Sequence, residues 1–469
     1  MKLEQIYTKC LAQGAYYIAD SGEAIIIDPL REIQPYLDRI QSDKVKLKYI
    51  FETHFHADFV SGHIDLANKT GAQIIYGPMA TAAFELTSAN DGQVFSVGRL
   101  TITVLHTPGH TLESSCFLLR NENGKPIALF SGDTLFLGDV GRPDLAQKAA
   151  HMTQAQLAGM LYESIQTKIL PLPDDILIYP GHGAGSACGK NMMTETVDTL
   201  GHQRVFNYAL QQPNKKAFVS AVLDGLLPPP GYFGNNVKMN KQGYDAFEKV
   251  MQKGLHPLSP LEFENETKQA GIVILDTRDS NSFSKGFVPG SINIGLSGEF
   301  APWVGAILVD TLQPIILVCE DGKEEETITR LSRVGFDQVK GYLSGGISNW
   351  IAAGKPIEKV HRISAEEFEA EFNPNLSRVW DVRKESEYSA DHIPNAFNKP
   401  LAYIKDWTDE VPKEDHFYIH CAGGYRSMIA ASILTAQGIK NFSEIEGGFN
   451  SISKTQIPRI ATLAAAVQG

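Results

Sequence analysis

The segment His54-Phe55-His56-Ala57-Asp58 places two imidazoles and a carboxylate within five residues. Neutral imidazole and carboxylate form a donor set suited to zinc or iron. Three more donors stand in short turn-like segments: His110 in Thr107-Pro108-Gly109-His110-Thr111, Asp133 in Ser131-Gly132-Asp133-Thr134, and His182 in Tyr179-Pro180-Gly181-His182-Gly183. One histidine alone is ordinarily a hydrogen-bonded core or surface residue. Four donor-bearing segments, each directly after a β-rich run, point instead to a metal centre. A second chemistry is written in Cys421-Ala422-Gly423-Gly424-Tyr425-Arg426-Ser427, which lies between the strand-like His416–His420 and the helix-like Met428–Ala436. A cysteine so placed faces converging backbone N–H groups and the positive end of a helix dipole. With the charge of Arg426 added, this setting favours a thiolate and stabilises a sulfur anion carried on it.

The elements that must hold these groups read as α/β throughout. Short β-rich runs (Ala24–Ile27, Leu47–Phe51, Ile74–Tyr76, Ile102–His106, Ile127–Ser131, Ile176–Tyr179) alternate with helical patterns such as Met152–Ile169 and Tyr244–Met251. The candidate residues follow the strand ends, where open α/β folds expose side chains and amides. Leu226-Leu227-Pro228-Pro229-Pro230-Gly231-Tyr232 is barred from regular structure, because consecutive prolines lack donors and have fixed φ.

Beyond residue 257 the chain repeats. Val273-Ile274-Leu275-Asp276-Thr277-Arg278 resembles Val379-Trp380-Asp381-Val382-Arg383, and each aspartate is followed by a proline (Pro289, Pro394) and an asparagine (Asn293, Asn398). A second strand in each copy ends at a cysteine, Cys319 or Cys421, and each cysteine precedes a Gly-Gly pair by 26 residues. The reading is two tandem modules of about a hundred residues each. The copies differ in their loops. Cys319-Glu320-Asp321-Gly322-Lys323-Glu324-Glu325-Glu326 has Glu324 where the other copy has Arg426, and its acidic charge opposes both thiolate formation and anion binding.

A length of 469 residues fits two to four domains, and 43% hydrophobic with 20% charged residues is an ordinary globular mixture. Net charge is −12, with no Lys/Arg cluster, so nucleic acid and anionic membrane are not expected partners. Five scattered cysteines without a C-x-x-C argue against a disulfide framework and a zinc ribbon. No apolar run reaches the roughly 18 residues of a membrane helix, and the first residues lack signal-peptide regions. A cytoplasmic protein is expected.

The donor set His54, His56, Asp58, His110, Asp133 and His182 resembles that of the metallo-β-lactamase superfamily, over about residues 1–250. The resemblance implies an αββα sandwich with an H-x-H-x-D-H signature. This chain departs from the signature at its end, where Phe59 stands in place of the final histidine. That position normally serves the second metal of dinuclear hydrolases, and a phenyl ring offers no lone pair, so a mononuclear site is expected. Among mononuclear members the chain is similar to the persulfide dioxygenases. This implies one Fe(II) per chain, held by His54, His110 and Asp133, with open positions for a persulfide sulfur and O₂. His56, Asp58 and His182 are then expected to orient ligands or substrate by hydrogen bonds. A three-histidine site using His56 is the competing assignment. Gly141-Arg142-Pro143-Asp144 resembles the Gly-Arg-x-Asp segment of the same proteins, and Arg142 there would either steer a substrate anion or serve structure.

Residues 360–460 resemble the rhodaneses, whose C-x-x-G-x-R loop matches Cys421 to Arg426 with Ala422, Gly423, Gly424 and Tyr425 as the cradle. The middle copy resembles a degenerate rhodanese acting as spacer, docking surface or substrate wall. The expected organisation is therefore α/β: a metallo-β-lactamase-like domain at 1–257, a degenerate rhodanese-like domain at 258–358 and a rhodanese at 359–469. Together these resemble persulfide dioxygenase–sulfurtransferase fusions, which implies oxidation of a thiol persulfide to sulfite with O₂. Sulfur exchange with sulfite or thiosulfate would follow at Cys421, in sulfide detoxification. The persulfide's thiol (glutathione, coenzyme A or bacillithiol) and any homo-oligomeric state stay open. So do two rivals, a zinc thioester hydrolase of the glyoxalase II type and a non-oxidising sulfur carrier or sensor.

Overall fold

A computed structural model describes residues 1–147, 151–308 and 310–462. They group into two compact units: those within 1–249 with 310–311 and 331–337, and those within 250–308, 312–330 and 338–462. Among the described residues no helix is long and apolar enough to cross a membrane.

The first unit is built on two six-stranded sheets. One runs in chain order from Lys2–Thr8 through Gln13–Asp20, Glu23–Ile27, Lys46–Phe51 and Gln73–Tyr76 to Thr87–Ser88. The other runs in reverse order from Asp198–Thr199 through Leu177–Pro180, Pro126–Gly132, Ser115–Arg120 and Leu100–His106 to Val94–Val97. Alternation along each strand sends one set of side chains inward. Tyr16, Ile18, Ile25, Ile27, Phe51 and Ile75 of the first sheet meet Ile102, Val104, Phe117, Leu119 and Phe130 of the second in one buried core. The opposite faces are apolar too and need covers. Tyr17, Ile26, Ile50 and Ile74 pack with Tyr36 and Leu66 from helices Gln34–Asp43 and His63–Thr70. Leu118, Leu129 and Ile178 pack with Leu161, Phe218 and Val222 from helices Gln154–Ser164 and Lys215–Leu223. This is the αββα sandwich that the sequence reading expects.

Five of the six short β-rich runs lie within strands and the sixth, Ile176–Tyr179, starts one residue before Leu177–Pro180, but the helices start later than read. Thr153 caps the helix at Gln154 by a capping box, and its final stretch, Ile165–Ile169, widens to π geometry. The helix read at Tyr244–Met251 is Phe247–Gly254, the turn before it following Gly243 at φ +93°.

The second unit holds the repeat as two all-parallel five-stranded sheets of identical order. The first runs Pro257–Leu258, Val339–Leu343, Ile315–Val318, Val273–Asp276, Ile292–Asn293. The second runs Arg362–Ile363, Phe442–Ile445, Phe417–His420, Val379–Asp381, Phe397–Asn398. The shared sequence marks are scaffold. Asp276 grips Arg278 and Asp381 grips Arg383 through buried double contacts, while the Asn293 and Asn398 amides donate to the backbone carbonyls of those same aspartates and arginines. The Gly-Gly pair has a steric cause. Gly447 and Gly448 have φ of +72° and +55°, and a Cβ on Gly448 would lie 2.3 Å from the Cys421 carbonyl oxygen. The Phe449 N–H donates to that same oxygen at 2.7 Å, so the pair braces the cysteine loop from below. Gly448→Ala is expected to cost about 1–3 kcal/mol, measured as a lowered denaturant midpoint, because both φ and space oppose it.

Candidate functional site

Four strand ends converge on the metal constellation. Lys46–Phe51 feeds the loop of His54, Leu100–His106 that of His110, Pro126–Gly132 that of Asp133, and Leu177–Pro180 that of His182. Ligand atoms of His54, His110 and Asp133 lie within 4.8 Å of one another. Asp133 Oδ2 is 3.9 Å from His54 Nε2 and 3.6 Å from His110 Nε2.

The hydrogen bonds around these side chains decide which atoms face the centre. His110 Nδ1 donates to the Arg142 carbonyl at 2.9 Å, which leaves Nε2 as the bare nitrogen. The Thr53 hydroxyl gives its one proton to Asp28 Oδ2, so at 3.0 Å it accepts from His54 Nδ1 and again leaves Nε2 bare. His182 Nδ1 donates to Asp133 Oδ1 at 2.8 Å, turning Oδ2 to the centre. His110 Nε2 and Asp133 Oδ2 are buried and have no hydrogen-bond partner. Burial first, and then the neighbouring His56, hold His54 well below its ordinary pKa, so its ring is neutral. Buried acceptors aimed at one point without a donor are costly. A metal ion resolves that cost, and two imidazoles with one carboxylate fit iron or zinc.

The other predicted residues take different places. His56 lies 3.1 Å from Asp28 Oδ1 and 3.2 Å from Glu52 Oε2. Burial would lower its pKa, but the two carboxylates overcome this and raise it well above the ordinary range. A cationic ring between two carboxylates makes a poor third ligand, so this geometry speaks against the three-histidine assignment. Phe59 is fully buried and stacks on that ring, with centroids 4.2 Å apart. Asp58 Oδ2 sits 2.7 Å from His182 Nε2, and the Cys188 thiol joins this pair. Arg142 is buried and spends its guanidinium on Asp144 and the carbonyls of Ala187 and Leu227. Its contacts favour the structural role over substrate steering, and its carbonyl is what fixes His110.

Cys421 is 1% exposed. The helix after it begins at Tyr425, three residues earlier than read from sequence, so its first turn forms part of the cradle. The Gly424 N–H donates to Sγ at 3.1 Å, with Gly424 at φ +92°, and the Ser427 hydroxyl lies 3.4 Å from Sγ. Arg426 makes a double contact with Glu387, at 2.6 and 2.8 Å. The cysteine borders a cavity of about 590 Å³ whose wall includes Lys384 and Arg426, and also Glu299 and Trp303 from the middle module. The Tyr425 hydroxyl donates to the Gly295 carbonyl at 2.7 Å. The middle module thus supplies part of the wall. Its own Cys319 is buried beside Thr327, and burial, followed by Glu324 and Asp276, pushes that thiol up to about 12.

Sequence reasoning missed Asp28, Glu52, Cys188, Glu387, Glu299 and Trp303. Glu52 carried a signal, two positions before His54 in a polar run after a strand. The others reach their places only through folding. His182→Ala is expected to weaken metal binding about 10- to 100-fold, because Asp133 loses the group that orients it. Titration of the metal-free protein with Fe(II) or Zn(II) measures this.

Residues 9–182 match the family described as Metallo-beta-lactamase superfamily, and residues 259–353 and 364–455 each match the Rhodanese-like domain. Among curated proteins, a hydroxyacylglutathione hydrolase of Tolumonas auensis is 36% identical over 171 residues, which span 36% of this chain and 60% of that protein. The mitochondrial persulfide dioxygenase ETHE1 of Homo sapiens is 32% identical over 184 residues, or 38% of this chain and 67% of that protein. Among solved structures, a metallo-beta-lactamase from Staphylococcus aureus subsp. aureus COL superposes with a TM-score of 0.64 at 31% identity, covering 73% of this chain and 98% of the other. With the sandwich, the donor set and the repeated parallel sheets beside these matches, the chain belongs to the metallo-beta-lactamase superfamily and carries two rhodanese-like domains after that domain.

Proposed function

We propose that this enzyme oxidises a low-molecular-weight thiol persulfide with O₂ and passes sulfane sulfur through Cys421. Residues 1–257 carry the oxygenase, 258–358 a supporting wall and 359–469 the sulfurtransferase. The overall oxidation balances as R–S–SH + O₂ + H₂O → R–SH + SO₃²⁻ + 2 H⁺. At the second site, sulfite takes the outer sulfur of a Cys421 persulfide to give thiosulfate and the free thiol.

The observation that carries this reading is the state of the would-be second metal position. Phe59 fills it with a ring stacked on His56, and His56 is given over to Asp28 and Glu52. The set His54, His110 and Asp133 then serves a single ion. A ferrous ion held there would leave positions for a persulfide sulfur and for O₂, and would supply the redox-active centre through which electrons of the sulfane sulfur reach O₂. The protein's part is to aim three lone pairs from a buried pocket. Arg142, Thr53 and His182 each hold one ligand in its orientation, and burial of all three limits water at the centre.

A second reading, thioester hydrolysis, is favoured by the 36% identity to the hydroxyacylglutathione hydrolase. Metal analysis of anaerobically purified protein, with an oxygen electrode and a thioester assay side by side, separates the two. The expected result is about one iron per chain and O₂ uptake with glutathione or coenzyme A persulfide. Two tightly held zinc ions with thioester cleavage and no O₂ uptake would overturn the proposal.

The wall role of the middle module carries its own prediction. Cys319→Ser should leave sulfur transfer within about twofold of wild type, since a thiol held near 12 is protonated at neutral pH. A persulfide found on Cys319 by mass spectrometry during turnover would contradict this.

A further inference from the structure

The Ser427 hydroxyl touches two groups at once. It lies 3.4 Å from Cys421 Sγ and 2.5 Å from Glu444 Oε1. Glu444 is fully buried on strand Phe442–Ile445, and its other oxygen accepts from Arg362 Nε at 2.5 Å. A hydroxyl has one proton and serves one acceptor at a time. With Glu444 ionised, Ser427 donates to the carboxylate and can only accept from the cysteine S–H. With Glu444 protonated, the carboxyl donates to Ser427, whose proton is then free to bind a sulfur anion.

We propose that Glu444, acting through Ser427, takes up the proton of Cys421 and returns it when sulfur is transferred, making it a positioning and proton-holding residue for the sulfurtransferase. The inference rests on the sulfur-transfer reading of Cys421. In the forward step the S–H proton moves to Ser427 Oγ while the Ser427 proton moves to Glu444. The thiolate then attacks the outer sulfur of R–S–SH. A Cys421–sulfur bond forms, the donor S–S bond breaks, and its electron pair leaves with RS⁻. The proton held on Glu444 comes back through Ser427 to neutralise the departing thiolate. No external oxidant or reductant enters.

The repeat supplies an internal control. Glu444 pairs in register with Ile419, two residues before Cys421, whereas Tyr342 pairs with Leu317, two residues before Cys319. The acid is therefore present in the copy with the intact cradle and replaced by a tyrosine in the copy without it. The middle copy keeps a hydroxyl near its cysteine, Thr327 at 3.6 Å from Cys319 Sγ, but this hydroxyl donates to the Lys323 carbonyl and not to a carboxylate.

The groups facing Glu444 agree with this role. Arg362 comes from the adjacent edge strand, Ser427 from the helix after the cysteine loop, and Glu446 from just beyond its own strand. His361 and His416 bind Ser443, which points to the opposite face. Burial outweighs the pull of Arg362 and Ser427 and raises the carboxyl to about 7, where it can change state near neutral pH.

The test is iodoacetamide alkylation of Cys421 in the full chain, followed by peptide-resolved mass spectrometry between about pH 5 and pH 10. Wild type should show two ionisation steps, because one proton is shared by a coupled pair. Glu444→Gln should show a single step about one pH unit lower, with alkylation about tenfold faster on the rising limb, since a neutral amide donor replaces the carboxylate. Ser427→Ala leaves the Arg362–Glu444 pair intact and should show a single step moved upward by a similar amount. Any other pattern, including shifts in the same direction or wild-type profiles in both variants, overturns the relay. Alkylation needs no sulfur donor. Failure of the wild type to transfer sulfur would thus count against the sulfurtransferase reading and leave this result standing.

Discussion

Asp133→Ala is expected to abolish O₂ uptake and to lower bound iron from about one per chain to near zero. Three side chains hold the proposed ion, and Asp133 Oδ2 is the only negatively charged atom among their ligand atoms. Losing it removes a ligand and the charge that offsets the cation, a larger change than loss of an outer partner, which costs about 10- to 100-fold in affinity. The substitution also leaves His182 Nδ1 without its acceptor. His110→Ala should behave alike, because His110 Nε2 is another bare buried ligand atom. Both variants should retain sulfur transfer at Cys421, which belongs to the other compact unit. Iron determination beside oxygen-electrode traces is the measurement. If His56→Ala lost iron completely while Asp133→Ala kept it, the ligand set would be wrong.

Cys421→Ser should change the product and not the rate of oxidation. Serine fits the loop, but its hydroxyl is not ionised at neutral pH and forms no persulfide, so the sulfur carrier is lost outright. O₂ consumption depends on His54, His110 and Asp133 and should continue. Wild type supplied with excess persulfide should accumulate thiosulfate, whereas Cys421→Ser should accumulate sulfite. Arg426→Ala should lie between them. It removes a cation from the cavity wall and releases Glu387, but keeps the thiol and the Gly424 N–H beneath it. Chromatographic quantitation of both anions during oxygen-limited turnover decides the matter. Equal sulfite-to-thiosulfate ratios in wild type and Cys421→Ser, corrected for spontaneous sulfite–persulfide reaction, would show that the two sites do not act in sequence.

Much of the architecture was legible because it is local or periodic. Apolar runs such as Leu47–Phe51 and Ile102–His106 pack on both faces and read as strands without knowledge of their neighbours. The tandem repeat was visible because each copy needs the same steric solution, with paired glycines beneath a cysteine loop. Helix starts were less legible. Tyr425 begins a helix inside the cradle because Gly424 takes the left-handed conformation and turns the chain at once. Propensity alone places that start later, after the Gly-rich and polar residues.

Sequence by itself determined which groups are present: four imidazoles and two carboxylates at strand ends, a phenylalanine where a seventh donor would be, and one cysteine loop with a cation against one crowded with acids. Those are matters of identity and spacing, and local order carries them. Tertiary structure decided what each group is free to do. His56 and His54 are two residues apart, yet one ring lies against Asp28 and Glu52 while the other keeps a bare nitrogen toward Asp133. Arg142 and Arg426 are cations in sequence, but Asp144 and Glu387 claim them in space. Glu444 is one acid among many until the sheet register sets it behind Ser427. The physical reason is that a side chain's charge, tautomer and open lone pair depend on its nearest partner. For buried polar groups that partner is commonly supplied by a distant part of the chain.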